Sequence, residues 1–155
     1  MMEIGDITLE QVTKFFLADP ALCYLGLSDD DLVSLYENKC LHPINSTVVF
    51  KGFYDDGTLV SVLKYEWFTY ETVNIHFYIS THLQRKGMSK VIGELICKYF
   101  KDSVGAKKII ILIPHTCVHT LGATEKFGMI EEGRLTKSLT WRKELVDIVI
   151  KSINL

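Results

Sequence analysis

The stretch HFYISTHLQRKGMSKVIGELICKYF, residues 76–100, decides the fold because a short glycine-containing loop joins an apolar run to an amphipathic segment. The run from His76 to Ser80 reads as a strand, and residues 81–86 are mostly polar. After Gly87, apolar residues recur every three or four positions, which predicts the clearest helix of the chain, with Gly105 at its end. The apolar face comprises Met88, Val91, Ile92, Leu95, Ile96, Tyr99 and Phe100.

A strand that ends in a glycine loop opening a helix is suited to hold an anion. The first N–H groups of the helix are free, the helix dipole is positive there, and glycine lets a ligand approach the backbone. Arg85 and Lys86 add positive charge, and Ser89 either caps the helix or donates to a ligand oxygen. The expected ligand is a phosphate or pyrophosphate. The alternative is a glycine that only the turn requires.

The segments before this loop predict two helices and three strands. Thr8 is placed to cap a helix whose buried face carries Val12, Phe15 and Phe16. A second helix is predicted after Ser28, with Leu32, Leu35 and Tyr36 on one face. Asp29, Asp30 and Asp31 occupy its first turn as a solvated, dipole-matched face or as a cation site. STVVFKGFY and LVSVLKYEWF read as a hairpin around DDGT, and YETVNIHFYIS as a third strand.

The segments after the loop alternate and then form a hairpin. KKIIILIP reads as a buried strand, and HTCVHTLGATEKFG as a helix with Gly128 near its end. RLTKSLTWR and LVDIVIKSI predict a closing hairpin with its turn at Lys143 and Glu144. If the first residues form a strand, the order is βααβββαβαββ. We therefore expect one α/β (α+β) domain, residues 1–155, with a mixed sheet.

Composition excludes several classes of protein. The chain has 155 residues, is 48% hydrophobic and 23% charged, and carries a net charge of −2, which disfavours a nucleic-acid partner. No apolar run is long enough to span a membrane, and no export signal is visible, so we expect a cytoplasmic protein. The four cysteines form no C-x-x-C pair and are expected to be reduced thiols. Neither G-x-x-x-x-G-K-[S/T] nor G-x-G-x-x-G is present.

The motif QRKGMS, residues 84–89, resembles the Q/R-x-x-G-x-G/A loop of the GCN5-related N-acetyltransferases, the GNAT family. ATEKFGMIEEGRL resembles the family's helix that runs into its last hairpin. SLTWRKELVDIVIKSI is similar to the closing hairpin of the branch that acetylates protein N-terminal amines. VNIHFYI is similar to a phage and bacterial branch that keeps a histidine in this strand. The resemblance covers about residues 46–153.

This resemblance implies a mixed, mostly antiparallel central sheet flanked by helices, and acetyl-coenzyme A as the cofactor. The expected reaction is transfer of the acetyl group to a primary amine by direct attack in a ternary complex. The alternative is a non-catalytic module that binds coenzyme A or a protein. The acceptor, a small molecule or a peptide, stays open, and so does the choice between monomer and homodimer. The residues expected to bind the cofactor are Phe77, Tyr78, Ile79, Gln84, Arg85, Lys86, Gly87, Met88, Ser89 and Cys117.

His76 is the first choice for the general base because an unperturbed histidine has a pKa of about 6.5 and the strand should lie beside the acetyl group. The alternative for His76 itself is that it packs on the sheet with one ring nitrogen bonded to the backbone. Glu66 and Glu71 are the alternative bases, and Tyr78 is either the acid or a core residue.

Ser89 stands where the loop motif ends in Gly or Ala, and Met129 stands where the family has Phe after the glycine. Three further positions depart from the family pattern. Thr124 stands where many members have the Tyr that protonates the thiolate, Val73 where a Glu often serves as base, and Cys117 where an Asn is common. His115 and His119 are expected to share a helix face, and no metal site is expected because no third ligand accompanies them.

Overall fold

A computed structural model describes residues 1–19 and 48–155 of the chain. The second predicted helix, with Ser28, Asp29, Asp30 and Asp31, lies outside the described residues, as do Cys23 and Cys40. The strands are β1 (Met2–Asp6), β2 (Val49–Asp55), β3 (Thr58–Trp67), β4 (Thr72–Ile79), β5 (Lys108–Pro114), β6 (Ile130–Trp141) and β7 (Glu144–Asn154). The helices are α1 (Leu9–Ala18), α2 (Met88–Tyr99) and α3 (Val118–Lys126).

The strands form one seven-stranded sheet in the order β1-β2-β3-β4-β5-β7-β6. β4 and β5 pair in parallel, with Thr72 opposite Lys108 and Ile75 opposite Ile111. The pairs β1–β2, β2–β3, β5–β7 and β6–β7 are antiparallel. The predicted mixed, mostly antiparallel sheet flanked by helices is therefore confirmed, and the first residues do form a strand.

Contacts divide the chain into two compact units, the first comprising Met1–Tyr65 and Phe77–Gln84. In the described part of this unit, α1 is capped by Thr8, whose hydroxyl accepts from the Gln11 amide while the Gln11 side chain accepts from the Thr8 amide. This capping box satisfies two backbone donors that the helix leaves free. The buried face of α1 packs with Val62 of β3, which confirms the predicted helix; it carries Val12, Phe15 and Phe16.

The second unit comprises Glu66–His76 and Arg85–Leu155. Gly93 of α2 lies against the ring of Phe127, since a Cβ built at residue 93 would stand 2.7 Å from Phe127 Cδ1 and closer still to two other ring atoms. α3 ends in a Schellman motif, in which Met129 N donates to Thr124 O and Gly128 N to Glu125 O at 3.1 and 2.9 Å. Gly128 has φ +81°, as its predicted place near the helix end requires.

Two-residue loops close both hairpins that the sequence predicts, and the second loop differs from its predicted position. Between β2 and β3, Asp56 and Gly57 have φ values of 47° and 79°. Between β6 and β7, Trp141 pairs directly with Glu144, so the loop residues are Arg142 and Lys143, with φ values of 49° and 69°. The predicted turn at Lys143 and Glu144 is wrong by one residue, because strand register and not residue type fixes this loop.

The last turn after α2 is π-helical. A π-helical turn, Phe100–Val104, follows Tyr99, and Gly105 then takes φ +77° and ends the helix as predicted. Within residues 1–19 and 48–155, no helix combines the length and apolar character that a membrane crossing needs.

Candidate functional site

The loop between β4 and α2 leaves the start of a helix open. A 3₁₀ turn, Thr81–Leu83, leads to Arg85 with φ +64° and to Gly87 with φ +78°, which is the N-cap of α2. A Cβ built at Gly87 would meet nothing within 4 Å, so the left-handed backbone conformation, and not crowding by the chain, explains the glycine. Ser89 lies inside the helix and does not cap it, so that alternative for Ser89 is wrong.

Side chains of the first unit fix the chain where it leaves β4. Gln84 Nε2 donates to the carbonyl oxygen of Ile79 at 2.9 Å. The amide and hydroxyl of Thr81 donate to the carboxylate of Asp19 at 2.6 and 2.8 Å. Hydrogen bonds of Thr81 and Gln84 therefore hold the exposed loop in place.

A second contact links the beginnings of α2 and α3 within the second unit. Arg85 Nη2 lies 3.3 Å from His119 Nε2. A guanidinium only donates, so in a hydrogen bond between these atoms Nε2 is the acceptor. The two helices also pack at Gly93 and Phe127. Two positive helix ends, one guanidinium and the exposed Lys86 thus make this face of the unit electropositive.

The connection between β5 and α3 corrects the prediction for two histidines. α3 begins at Val118, after the N-cap Cys117, so His115 lies before the helix and shares no face with His119. His115 instead extends the β5–β7 pairing: its amide donates to Asp147 O at 2.9 Å, and its Nδ1 accepts from Asp147 N at 3.1 Å. Cys117 is half-buried, and its carbonyl accepts from the Leu121 amide at 3.1 Å.

Glu66 forms a polar pair with a residue that the sequence analysis missed. Asn74 Nδ2 donates to Glu66 Oε1 at 3.3 Å, and Asn74 is only 6% exposed. The available signal was asparagine inside the β-branched and aromatic strand TVNIHFYI, where this residue type is unfavourable. His76 is half-buried and lies two residues further along β4, on the same strand face as Asn74.

The remaining candidates lie in the packed interior or, in the case of Glu71, on the surface. The ring of Tyr78 meets that of Phe16 edge-on, with centroids 4.8 Å apart. Val73 is 0% exposed, and so is Thr124, whose hydroxyl donates to Leu121 O at 2.8 Å. Neither position supplies a side chain that titrates near neutrality. Glu71 is exposed and paired with Lys107, as a solvated hairpin end would be.

Among residues 1–19 and 48–155, no group of three His, Cys, Asp or Glu side chains is arranged to hold a metal ion. No protein-family model matches the sequence, and no curated protein matches it. Solved structures do match. The spermidine/spermine N-acetyltransferase SpeG of Vibrio cholerae aligns with a TM-score of 0.74 and 17% identity, over 99% of this chain and 92% of that one. The chain has the GNAT fold.

Two further structures with the GNAT fold align over nearly their whole length. A putative phosphinothricin N-acetyltransferase has a TM-score of 0.75 and 14% identity, covering 100% of this chain and 99% of that one. The ribosomal-protein-S5-alanine acetyltransferase of Vibrio fischeri has a TM-score of 0.71 and 13% identity, covering 99% and 92%. These structural neighbours are N-acetyltransferases, and at such identities they establish the fold that the residue resemblance implied.

Proposed function

We propose that the chain is an acetyl-coenzyme A-dependent N-acetyltransferase that acetylates a primary amine by direct attack in a ternary complex. The observation that carries this proposal is the open N-cap of α2 at Gly87, after β4 of a GNAT fold, with Arg85 beside it. Its neighbours are named for spermidine, spermine and the alanine of a ribosomal protein, which supports an amine as acceptor. The near-complete coverage supports one acetyltransferase domain over residues 1–155.

We assign the anionic part of the cofactor to the loop. The amides of Gly87, Met88 and Ser89 would donate to the pyrophosphate, with Arg85 and Lys86 supplying charge. Open space at Gly87 and a chain that bends there through two left-handed residues fit such a ligand. Gln84 holds the loop through its bond to the Ile79 carbonyl.

We assign the acyl part of the cofactor to β4 and to the start of α3. The backbone of Phe77, Tyr78 and Ile79 would pair with the pantetheine arm like an added strand, and Cys117 would line its path. Acetyl-coenzyme A supplies an activated thioester carbonyl. An N–H of the strand would polarise the oxygen of that carbonyl.

His76 is our first choice to remove the proton from the amine, because histidine binds and releases protons near neutrality. Glu66 is the alternative base, acting directly or through water. Tyr78 is the candidate acid, although its ring packs against Phe16. Solvent would otherwise protonate the leaving thiolate.

A non-catalytic module that binds coenzyme A or a protein partner is the second candidate. Val73 and Thr124 favour it, since both are fully buried and carry no titratable group at the positions where the resemblance expects a Glu and a Tyr. Release of free thiol that depends on added amine would exclude a module that only binds.

Thermal melting with acetyl-coenzyme A, using NAD and ATP as controls, tests the proposal. A ligand at a hundredfold excess over its Kd stabilises the folded state by about 2.7 kcal/mol. We expect a selective rise in Tm with acetyl-coenzyme A. A folded protein whose Tm does not respond would contradict cofactor binding and hence the enzyme.

A further inference from the structure

Asn74 carries a buried amide oxygen without a partner. The residue is 6% exposed, and its Oδ1 forms no hydrogen bond to any part of the chain that the structure describes. Burial deprives this oxygen of its hydrogen bonds to water, and no described residue replaces them. An apolar side chain such as Leu would not carry this desolvation penalty. Within the part of the chain that the structure describes, the asparagine therefore weakens the folded state unless a donor from outside that part binds it.

The bond to Glu66 fixes which end of the amide is open. A carboxylate only accepts hydrogen bonds, so the Asn74 NH₂ group must face Glu66 Oε1, at 3.3 Å. The oxygen is thus the open atom, and it requires a donor. Glu66 is half-buried and brings a carboxylate to the same place. An amine or ammonium nitrogen is a donor that both groups can bind.

The position along β4 relates this pair to the proposed base. Asn74 and His76 lie two residues apart on one strand face, which separates their Cα atoms by about 7 Å. Val73 faces the opposite side and is fully buried. Glu66, Asn74 and His76 all belong to the second unit. A nitrogen held by the pair would lie near a histidine able to take its proton.

We propose that Asn74 Oδ1 and the Glu66 carboxylate form the subsite for the primary amine of the acceptor. This inference rests on the proposed function and names the residues that hold its substrate. Asn74 accepts an N–H of the amine, and Glu66 balances its charge.

Two ligands and two variants of the full-length protein test the subsite. Butylamine has N–H donors, whereas trimethylbutylammonium carries the same charge and has none. Asn74→Leu removes the acceptor, together with the donor to Glu66, and keeps the number and branching of the side-chain heavy atoms. Ser61→Ala is the matched control, because Ser61 is 0% exposed and its hydroxyl oxygen also has no partner among the described residues, yet it belongs to the first unit. Thermal melting without cofactor reads binding independently of turnover.

We expect butylamine to raise the Tm of the wild type more than trimethylbutylammonium does, and Asn74→Leu to abolish this difference. Ser61→Ala should retain it. With saturating acetyl-coenzyme A, Asn74→Leu should raise the KM for butylamine at least about tenfold, the effect of one hydrogen bond to a charged group. Its affinity for acetyl-coenzyme A should not change.

An equal response to the two ligands in the wild type, or an unchanged difference in Asn74→Leu, would overturn the subsite. If Asn74→Leu does not fold, a crystal of the wild type soaked in butylamine decides. Nitrogen within hydrogen-bond distance of Oδ1 supports the inference, and a water that stays there refutes it. Failure of the proposed function looks different: the Tm would respond to butylamine but not to acetyl-coenzyme A.

Discussion

Replacing Gly87 by Asp should stabilise the cofactor-free protein and weaken cofactor binding, because the added negative charge attracts the helix end and repels a pyrophosphate. The residue has φ +78°, and a Cβ there would meet nothing within 4 Å. Asp and Asn both tolerate this left-handed conformation better than other residues, so Gly87→Asn is a control of the same size and strain. At the positive end of α2, the Asp carboxylate should stabilise the cofactor-free protein by about 0.3–1 kcal/mol relative to Asn.

The same carboxylate should repel a bound pyrophosphate. At a separation of about 5 Å, two unit charges repel by about 0.8 kcal/mol in water and by about 3.3 kcal/mol at an effective dielectric constant of about 20. With roughly two phosphate charges nearby, Gly87→Asp should lose about 2–6 kcal/mol of binding energy relative to Gly87→Asn. The Kd for acetyl-coenzyme A should therefore rise roughly thirtyfold to more than ten-thousandfold between the two variants.

Calorimetric titration with acetyl-coenzyme A and melting without it measure the two effects. We expect Gly87→Asp to melt no lower than Gly87→Asn and yet to bind far more weakly. Added salt should narrow the gap in affinity, since it screens the repulsion. Equal affinities for the two variants would show that no phosphate lies at the N-terminus of α2, and the assignment of the loop would fail.

Three further predictions concern other parts of the chain. Phe16→Ala should lower the free energy of unfolding by about 3–5 kcal/mol, because Phe16 is 1% exposed in the core beside α1; urea titration showing under about 1 kcal/mol would contradict this. His76→Ala should reduce kcat about a hundredfold or more without changing acetyl-coenzyme A affinity, and unchanged thiol release would remove His76 from the reaction. Burial, with a smaller effect of Glu94, raises the pKa of the Cys97 thiol. Since only the thiolate reacts, iodoacetamide at pH 8.5 should label Cys97 faster in urea than in the native protein, as mass spectrometry of the labelled peptide can check.

Local sequence determines most elements of this fold, and long-range register determines the rest. The capped helix at Thr8 and the apolar stripe of α2 could be predicted because both depend on residues a few positions apart. The β6–β7 turn depends on which residues pair across the hairpin. Once Trp141 opposes Glu144, Arg142 and Lys143 must take positive φ although neither is glycine or asparagine.

The candidate site shows the same division. Gly87 and its cations could be recognised in one short segment. The contact of Arg85 with His119 joins residues 34 positions apart. It arises because β4 and β5 are parallel, so the helices that follow them begin at the same end of the two strands. The prediction for His115 was wrong because it also depends on a distant residue: the pairing of His115 with Asp147 of β7, 32 positions away, keeps it out of the helix.

The distribution of charge in the second unit bears on the choice between an enzyme and a module that only binds coenzyme A. Arg85 and the open end of α2 suit the anionic part of the cofactor, and a binding module needs nothing more. The pair of Glu66 and Asn74 would not help to hold an anion, and the Asn74 oxygen, which has no partner among the described residues, costs stability. A transferase must hold an amine as well as an acyl donor, so it requires a separate polar site that favours cations. If Gly87→Asp changes only cofactor affinity and Asn74→Leu only amine affinity, two substrates are bound separately, and the reading as a binding module loses its support.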